Sequence, residues 1–120
     1  SYVIDVDGKV AGSATLHLGI DPDYLEMEEG EWDHGTTAHY SAIHRVSVSH
    51  EYRGQGLAGK LISGLFTVSS LLGFKDVRID THPMNKGMQH IILASGFTKK
   101  GIIRTKAEDD DRFAYQIELH

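Results

Sequence analysis

The sequence contains no cysteine, only two prolines and a single tryptophan among its 120 residues. The absence of cysteine excludes a disulfide framework, a thiolate metal site and a cysteine nucleophile. Long apolar runs are also absent, since serine, threonine and glycine interrupt the longest uncharged stretch, residues 61–74. Because a membrane-spanning helix needs about 20 apolar residues, we expect no membrane segment.

Basic and acidic residues are unevenly distributed along the chain, whose net charge is −5. Residues 1–33 hold nine acidic side chains and one basic, residues 34–106 hold ten basic and three acidic, and residues 107–120 hold five acidic and one basic. The negative total disfavours non-specific binding to nucleic acid. The basic middle segment, by contrast, suits a small anionic ligand.

The hydrophobic pattern predicts six strands and two helices within a single domain covering residues 1–120. The turn Asp7-Gly8 joins the first two strands, and Gly73 and Gly96 follow the two helices at C-cap positions. An acidic segment, residues 19–39, shows no regular spacing of hydrophobic residues and is predicted to be a long loop that faces a substrate. The order predicts a mixed α/β or α+β sheet, with strands over residues 2–6, 9–16, 42–48, 77–80, 97–104 and 112–119 and helices over residues 57–72 and 85–95.

A glycine-rich segment, residues 53–60, lies between a predicted strand and a predicted helix. Glycines let the backbone approach a ligand closely, and the first N–H groups of a helix attract phosphate. Gly54, Gly56 and Gly59 fit the dinucleotide-binding pattern G-x-G-x-x-G. The segment also fits G-x-x-x-x-G-K, but Leu61 stands where a nucleotide-hydrolysing loop has serine or threonine. We therefore predict phosphate binding, and dinucleotide binding stays open as one interpretation.

A longer pattern resembles a known family. Arg53-x-x-Gly56-x-Ala58, preceded by the strand residues 43–48, resembles the acetyl-CoA-binding motif of the GNAT acyltransferases. Residues 80–89 and the pair Gly96-Phe97 are similar to the fourth-helix region of a bacterial branch of that family. The resemblance implies a mixed, mostly antiparallel central sheet with two helices. It also implies that the chain lacks the strand and helix pair with which a complete domain opens.

The resemblance further implies where acetyl-CoA binds. Val46, Ser47 and Val48 would offer backbone hydrogen bonds to the pantetheine arm. Asn85 would contact the cofactor, although its position at the start of a helix equally favours a capping role. The backbone of the glycine-rich segment would surround the pyrophosphate, through Arg53, Gly54, Gln55, Gly56, Leu57, Ala58, Gly59 and Lys60.

Acyl transfer to an amine needs a neutral nucleophile, and therefore a group that accepts its proton. His44 is the predicted general base, because its ordinary pKa suits neutral pH and strand alternation places it on one face with Ala42 and Val46. The resemblance implies the same role, since some amine acetyltransferases of the family have a catalytic histidine at this position. A structural, hydrogen-bonded histidine is the competing interpretation, and His82 is the alternative base.

Two further expectations concern the general acid and the acceptor. The position of the tyrosine that serves as general acid in the family is occupied by Ile92, so no general acid is predicted there. Tyr24 and Trp32 of the acidic segment would either line a pocket for a cationic amine or plug the edge of the core, and we favour the core position.

We therefore predict a cytoplasmic N-acetyltransferase that moves an acetyl group from acetyl-CoA directly to an amine on a small molecule or peptide. A CoA-binding module without catalysis is the alternative, and a dinucleotide-binding fragment is a weaker one. No histidine pair has the i, i+4 spacing of the zinc motif H-E-x-x-H, and His34 and His39 lie in a predicted loop, so no metal site is predicted. The expected partners are acetyl-CoA and an amine acceptor, with a homodimer left open.

Overall fold

This computed structural model describes residues 2–120 of the chain. These residues contain six strands and two α-helices. The predicted order of elements is confirmed, and every end lies within two residues of the prediction. Two single-turn 3₁₀ helices, Pro22–Tyr24 and His50–Tyr52, add to that order. The elements are β1 (Tyr2–Val6), β2 (Lys9–Leu18), β3 (Tyr40–Val48), α1 (Leu57–Leu71), β4 (Asp76–Thr81), α2 (Lys86–Ala94), β5 (Thr98–Thr105) and β6 (Asp110–Glu118).

The strands form one sheet in the order β1-β2-β3-β4-β6-β5. β3 and β4 pair in parallel, and the four other neighbouring pairs are antiparallel. The predicted mixed, mostly antiparallel sheet is therefore confirmed, and it differs from the doubly wound parallel sheet of dinucleotide-binding domains. At the first hairpin, Asp7 and Gly8 both have positive φ, 51° and 81°, as the tight turn requires.

Both helices pack their apolar side chains into a core on one face of the sheet, which we call the helix-side core. α1 begins after Gly56 and ends before Gly73, whose φ of 89° suits a C-cap glycine. Asn85 caps the start of α2, and its side chain accepts a hydrogen bond from the Met88 N–H at 3.0 Å. Among residues 2–120, neither helix is long and apolar enough to cross a membrane. The buried members of this core are Ala14, Ile43, Leu61, Ile62, Leu65, Val77, Ile79, Ile92, Phe97 and Tyr115.

The acidic segment covers the opposite face of the sheet and completes a second, loop-side core. Tyr24 and Trp32 are buried in it, and the Trp32 indole N–H donates to the Tyr24 carbonyl at 3.0 Å. Their placement at the core edge, which we favoured from the sequence, is confirmed. The remaining members of the loop-side core are Tyr40, Ala42, Ile103 and Ala114.

Candidate active site

β3 contains a bulge at the point where the site begins. Its partner strand β2 pairs Thr15 with His44 but Ser13 with Ser47, so β3 carries one extra residue there. Arg45 adopts the left-handed conformation, with φ of 56°. The bulge reverses the alternation of side chains beyond it, and Val46 packs against the helix-side core as Ile43 does. The prediction that His44 and Val46 share a face is therefore wrong.

Beyond the bulge, β3 and β4 separate. Their parallel pairing runs from Tyr40 with Asp76 to Ile43 with Ile79. Further along β3, Ser47 and Val48 pair with β2 alone. The β4-facing edge of the end of β3 is thereby left for another hydrogen-bonding partner.

A cleft of about 560 Å³ opens at this gap, between the end of β3 and the first turns of α1 and α2. It brings together most of the residues that the sequence predicted for the cofactor, namely Val46, Ser47, Val48, Arg53, Gly54, Gly56, Leu57, Ala58 and Asn85. Gln55, Gly59 and Lys60 do not line it, and Gly59 instead faces a neighbouring groove between α1 and α2. The sequence prediction missed Tyr52, Gly87, Met88 and Ile91, which also line the cleft. The helical spacing of Met88 and Ile91 indicated only a core position.

The glycine-rich segment gives this cleft the start of a helix as one wall. Gly54 and Gly56 have φ of 84° and 70°, in the left-handed region that favours glycine. Lys60 N–H donates to the Gly56 carbonyl at 3.2 Å, so the helical hydrogen bonds of α1 begin there. The N–H groups before that point have no partner within the helix and lie at the positive end of its dipole. This wall can therefore accept an anionic group such as a phosphate.

His44 lies in a cluster of four side chains, which we call the histidine cluster: Asp21, Tyr24, His44 and Asp80. Its Nε2 is 2.6 Å from Oδ2 of Asp21, and its Nδ1 is 3.8 Å from Oδ1 of Asp80. The Tyr24 hydroxyl donates to the same Asp80 oxygen at 2.6 Å. The His44 side chain is 27% exposed, and the two carboxylates are 9% and 11% exposed. The acidic segment, β3 and β4 thus each supply part of one polar cluster.

Burial and charge act against each other in this cluster. Burial would lower the pKa of His44, but the hydrogen bond and charge of Asp21, with the charge of Asp80, outweigh it and raise that pKa. Burial would raise the pKa of Asp21, and the hydrogen bond with His44 lowers it overall. For Asp80, burial raises the pKa and the Tyr24 hydrogen bond offsets this only in part. Because ionised Asp21 accepts the Nε2 hydrogen, the neutral imidazole has its lone pair on Nδ1, toward Asp80.

A smaller cavity of about 170 Å³ lies in the gap between β3 and β4, and we call it the inter-strand cavity. It shares Val46, Asn85 and Met88 with the cleft, so the two spaces adjoin. Asp80 lines it, whereas the predicted base His44 lies behind Asp80 and is not among the lining residues. The full lining is Ile43, Arg45, Val46, Ile79, Asp80, Thr81, His82, Asn85, Met88 and Arg112.

His82, the alternative base, has both ring nitrogens engaged. Its Nδ1 accepts a hydrogen bond from the Met84 N–H at 3.0 Å, and its Nε2 lies 3.3 Å from Oδ2 of Asp110. A neutral His82 therefore has no free lone pair for a substrate proton. Ile92, at the position of the family's general acid, is fully buried in the helix-side core.

Comparison with known proteins agrees with this geometry. The model of the GNAT acetyltransferase family matches residues 1–97 of the chain. The chain belongs to the GNAT acetyltransferase family. The resemblance carried by Arg53, Gly56 and Ala58 is thereby confirmed.

Several relatives of this GNAT chain extend the comparison. A GNAT acetyltransferase from Streptococcus agalactiae has 33% sequence identity and a TM-score of 0.87, over 98% of this chain and 64% of its own. N-acetyltransferase 8F1 of Rattus norvegicus is 34% identical over 59 residues, which are 49% of this chain and 27% of that protein. A GNAT acetyltransferase from Elizabethkingia anophelis, solved with acetyl-CoA bound, shares the fold with 16% identity and a TM-score of 0.74, over 98% of this chain and 74% of its own. The chain thus spans less than two thirds of the streptococcal and rat proteins.

Proposed function

We propose that this GNAT chain is an N-acetyltransferase that uses acetyl-CoA as acetyl donor and an amine as acceptor. The observation that carries the proposal is the bulge in β3, which separates this strand from β4 and opens the cleft beside the glycine-rich start of α1. One space thereby combines an unpaired strand edge, which suits the amides of pantetheine, with helix N–H groups, which suit a pyrophosphate.

The charge of the cleft agrees with an anionic cofactor. Arg53 is the one charged residue among those that line the cleft, and it is basic. Arg53 would add a charge-assisted hydrogen bond to the backbone N–H groups around the pyrophosphate. Asn85 has its side-chain oxygen engaged in capping α2, so its amide NH₂ group remains to contact the cofactor.

In the proposed reaction, the amine attacks the thioester carbonyl carbon, and the carbon–sulfur bond breaks to release CoA. A backbone N–H of residues 46–48 would stabilise the oxyanion that forms on the carbonyl oxygen. The proton lost by the amine passes toward Nδ1 of His44, while Asp21 holds Nε2–H and stabilises the imidazolium. The imidazolium of His44 then returns one proton, through solvent, to the departing thiolate, which leaves as the thiol of CoA.

Calorimetric titration with acetyl-CoA, CoA and NAD⁺, followed by thiol release with a panel of amines, tests this function. We expect acetyl-CoA and CoA to bind, NAD⁺ not to bind, and thiol release to depend on the amine. Binding of CoA without any amine-dependent thiol release would indicate a CoA-binding module instead. Binding of NAD⁺ alone would overturn the assignment of the cleft.

A further inference from the structure

The inter-strand cavity has charged side chains of both signs on its wall. Asp80 stands on the β4 side, and Arg45 and Arg112 come from β3 and β6. The cavity adjoins the cleft, so under the proposed function it lies where the acceptor meets the thioester. A purely cationic acceptor would place its charge beside two arginines, which disfavours a diamine or polyamine.

Arg45 is placed there by the bulge. Its φ of 56° is unusual for a residue with a long side chain, and such strain is retained where surrounding structure fixes it. The side chain is exposed and lines the cavity. The ion pairs found within residues 2–120 do not include it, whereas Arg78, Arg104 and Arg112 are all paired.

Arg112 presents a second donor to the same cavity. Its NH2 group pairs with Glu108. Its Nε is buried and has no hydrogen-bond partner within residues 2–120. Because that nitrogen has almost no accessible surface, a ligand in the cavity would contact the outer guanidinium nitrogens of Arg112 rather than Nε.

Asp80 is the acidic residue on this wall, and its orientation is fixed. The Tyr24 hydroxyl holds Oδ1 at 2.6 Å, and Tyr24 itself is fully buried. Asp21, His44 and Arg112 are the other charged or titratable groups near this carboxyl. A fixed carboxylate opposite two guanidinium groups matches a ligand that carries an ammonium and a carboxylate close together.

We propose that the acceptor is an amine with an adjacent carboxylate, such as a free amino acid, with its ammonium on Asp80 and its carboxylate on Arg45 and Arg112. This inference rests on the proposed function. A cavity of about 170 Å³ is the volume of some five or six waters at about 30 Å³ each, which admits the two charged groups. The side chain of the acceptor then extends out of the cavity. The ammonium on Asp80 also lies next to His44, the group that takes its proton.

Thiol-release kinetics with L-amino acids and with the corresponding amino acid amides test the inference, because only the free acids carry the carboxylate. The carboxylate also raises the pKa of the neighbouring amine, so kcat/KM is compared per concentration of neutral amine. We expect kcat/KM to be higher for the free acids by about 10-fold or more. Arg45→Gln is expected to raise KM for the free acids about 10- to 100-fold. The KM for the amides and the affinity for acetyl-CoA are expected to stay unchanged. Arg104→Gln, at an exposed arginine of β5 paired with Asp109 and Asp111, is the matched control.

Two further variants separate charge from backbone strain. Arg45→Lys keeps the charge and is expected to recover part of the preference for free acids. Arg45→Gly relieves the positive φ but removes the side chain, so it is expected to lose the preference as Arg45→Gln does.

The outcomes distinguish failure of this inference from failure of the proposed acetyltransferase function on which it rests. A kcat/KM per neutral amine that is at least as high for amides as for free acids, or an equal effect of Arg45→Gln on both series, overturns the inference and leaves the acetyltransferase function in place. Failure to transfer the acetyl group to any amine overturns both.

Discussion

His44 and Asp21 form the side-chain pair on which the proposed chemistry depends. The Nε2 to Oδ2 distance of 2.6 Å fixes which nitrogen of the neutral ring bears hydrogen. The pair also stabilises the fold, because His44 has its pKa raised from an ordinary 6.5 and Asp21 has its pKa lowered from 3.8. That stabilisation is complete below the ordinary histidine value and above the ordinary aspartate value. It is lost as pH rises through the raised pKa of His44 or falls through the lowered pKa of Asp21.

Replacing the proposed base tests its role directly. His44→Gln is expected to lower kcat about 100-fold or more, because general-base catalysis contributes on that scale, and to leave acetyl-CoA affinity unchanged. Thiol release and calorimetry measure the two quantities. His34→Gln, at an exposed histidine whose nearest acid is Glu118 at 3.9 Å, should change neither. An unaltered rate in His44→Gln would remove this residue from the mechanism.

The pH profile provides a second test at the scale of one residue. A general base works when neutral, so the rate is expected to rise with pH through the raised pKa of His44. Asp21→Asn keeps an oxygen that can accept the Nε2 hydrogen but removes the charge that raises this pKa. The rise in kcat/KM should therefore move to lower pH, with a lower plateau. Asp109→Asn, at an exposed carboxylate, should leave the midpoint in place, and a midpoint equally unmoved by Asp21→Asn would mean that another group titrates.

Among the elements, β3 is where prediction from sequence was least complete. Its existence followed from its β-branched residues, and the adjacent glycine-rich turn followed from Gly54 and Gly56. The bulge could not be predicted from the sequence, because arginine is an unusual residue for the left-handed conformation that Arg45 adopts. A single extra residue reverses every side chain beyond it, and so Val46 was assigned to the wrong face.

The polar network was missed for a different reason. Tyr24 and Asp80 are 56 positions apart, and Asp21 and His44 are 23 apart. No local pattern joins residues at such separations, since their contact depends on how the acidic segment folds over the sheet. The cleft was more predictable, because residues 46–48 and most of the glycine-rich segment are close in sequence as well as in space.

The start of α1 can be tested with one substitution. Gly56→Asp places a side chain at φ of 70° and a negative charge at the helix end that is proposed to hold the pyrophosphate. We expect acetyl-CoA affinity to fall about 100-fold or more, measured by calorimetry. Gly64→Asp introduces the same side chain within α1, at an exposed position with open space around it and away from the cleft. It should leave affinity unchanged, and retained affinity in Gly56→Asp would contradict the loop assignment.

Across the whole molecule, several acidic side chains of the acidic segment are engaged in contacts with other parts of the fold. Asp21 pairs with His44, Asp33 lies 2.7 Å from Lys100, and an Asp23 oxygen accepts the Lys106 N–H at 2.9 Å. These acids are therefore less free to attract a cationic acceptor than the composition of the segment alone implies. Their contacts instead hold the segment on the sheet and set Tyr24 against Asp80.

Arg78 links this segment to the centre of the sheet. It is fully buried, and its guanidinium carbon lies 3.9 Å from the Tyr40 ring centroid and 4.7 Å from that of Trp32. It also pairs with buried Asp76 and donates to the Asp33 carbonyl at 3.2 Å. Arg78 thus contributes both to the loop-side core and to the anchoring of the acidic segment.

Removing that cation is expected to affect stability and catalysis together. Arg78→Leu leaves Asp76 buried without its partner, and we expect the free energy of unfolding in urea to fall by about 3 to 5 kcal/mol. Because the same packing holds Tyr24 and Asp21, kcat should also fall. Adding Asp76→Val to this variant removes the unpaired charge and should restore part of the stability without restoring the link to Trp32. A double variant no more stable than Arg78→Leu would mean that the ring contacts and the Asp33 hydrogen bond, rather than charge pairing with Asp76, hold the segment in place.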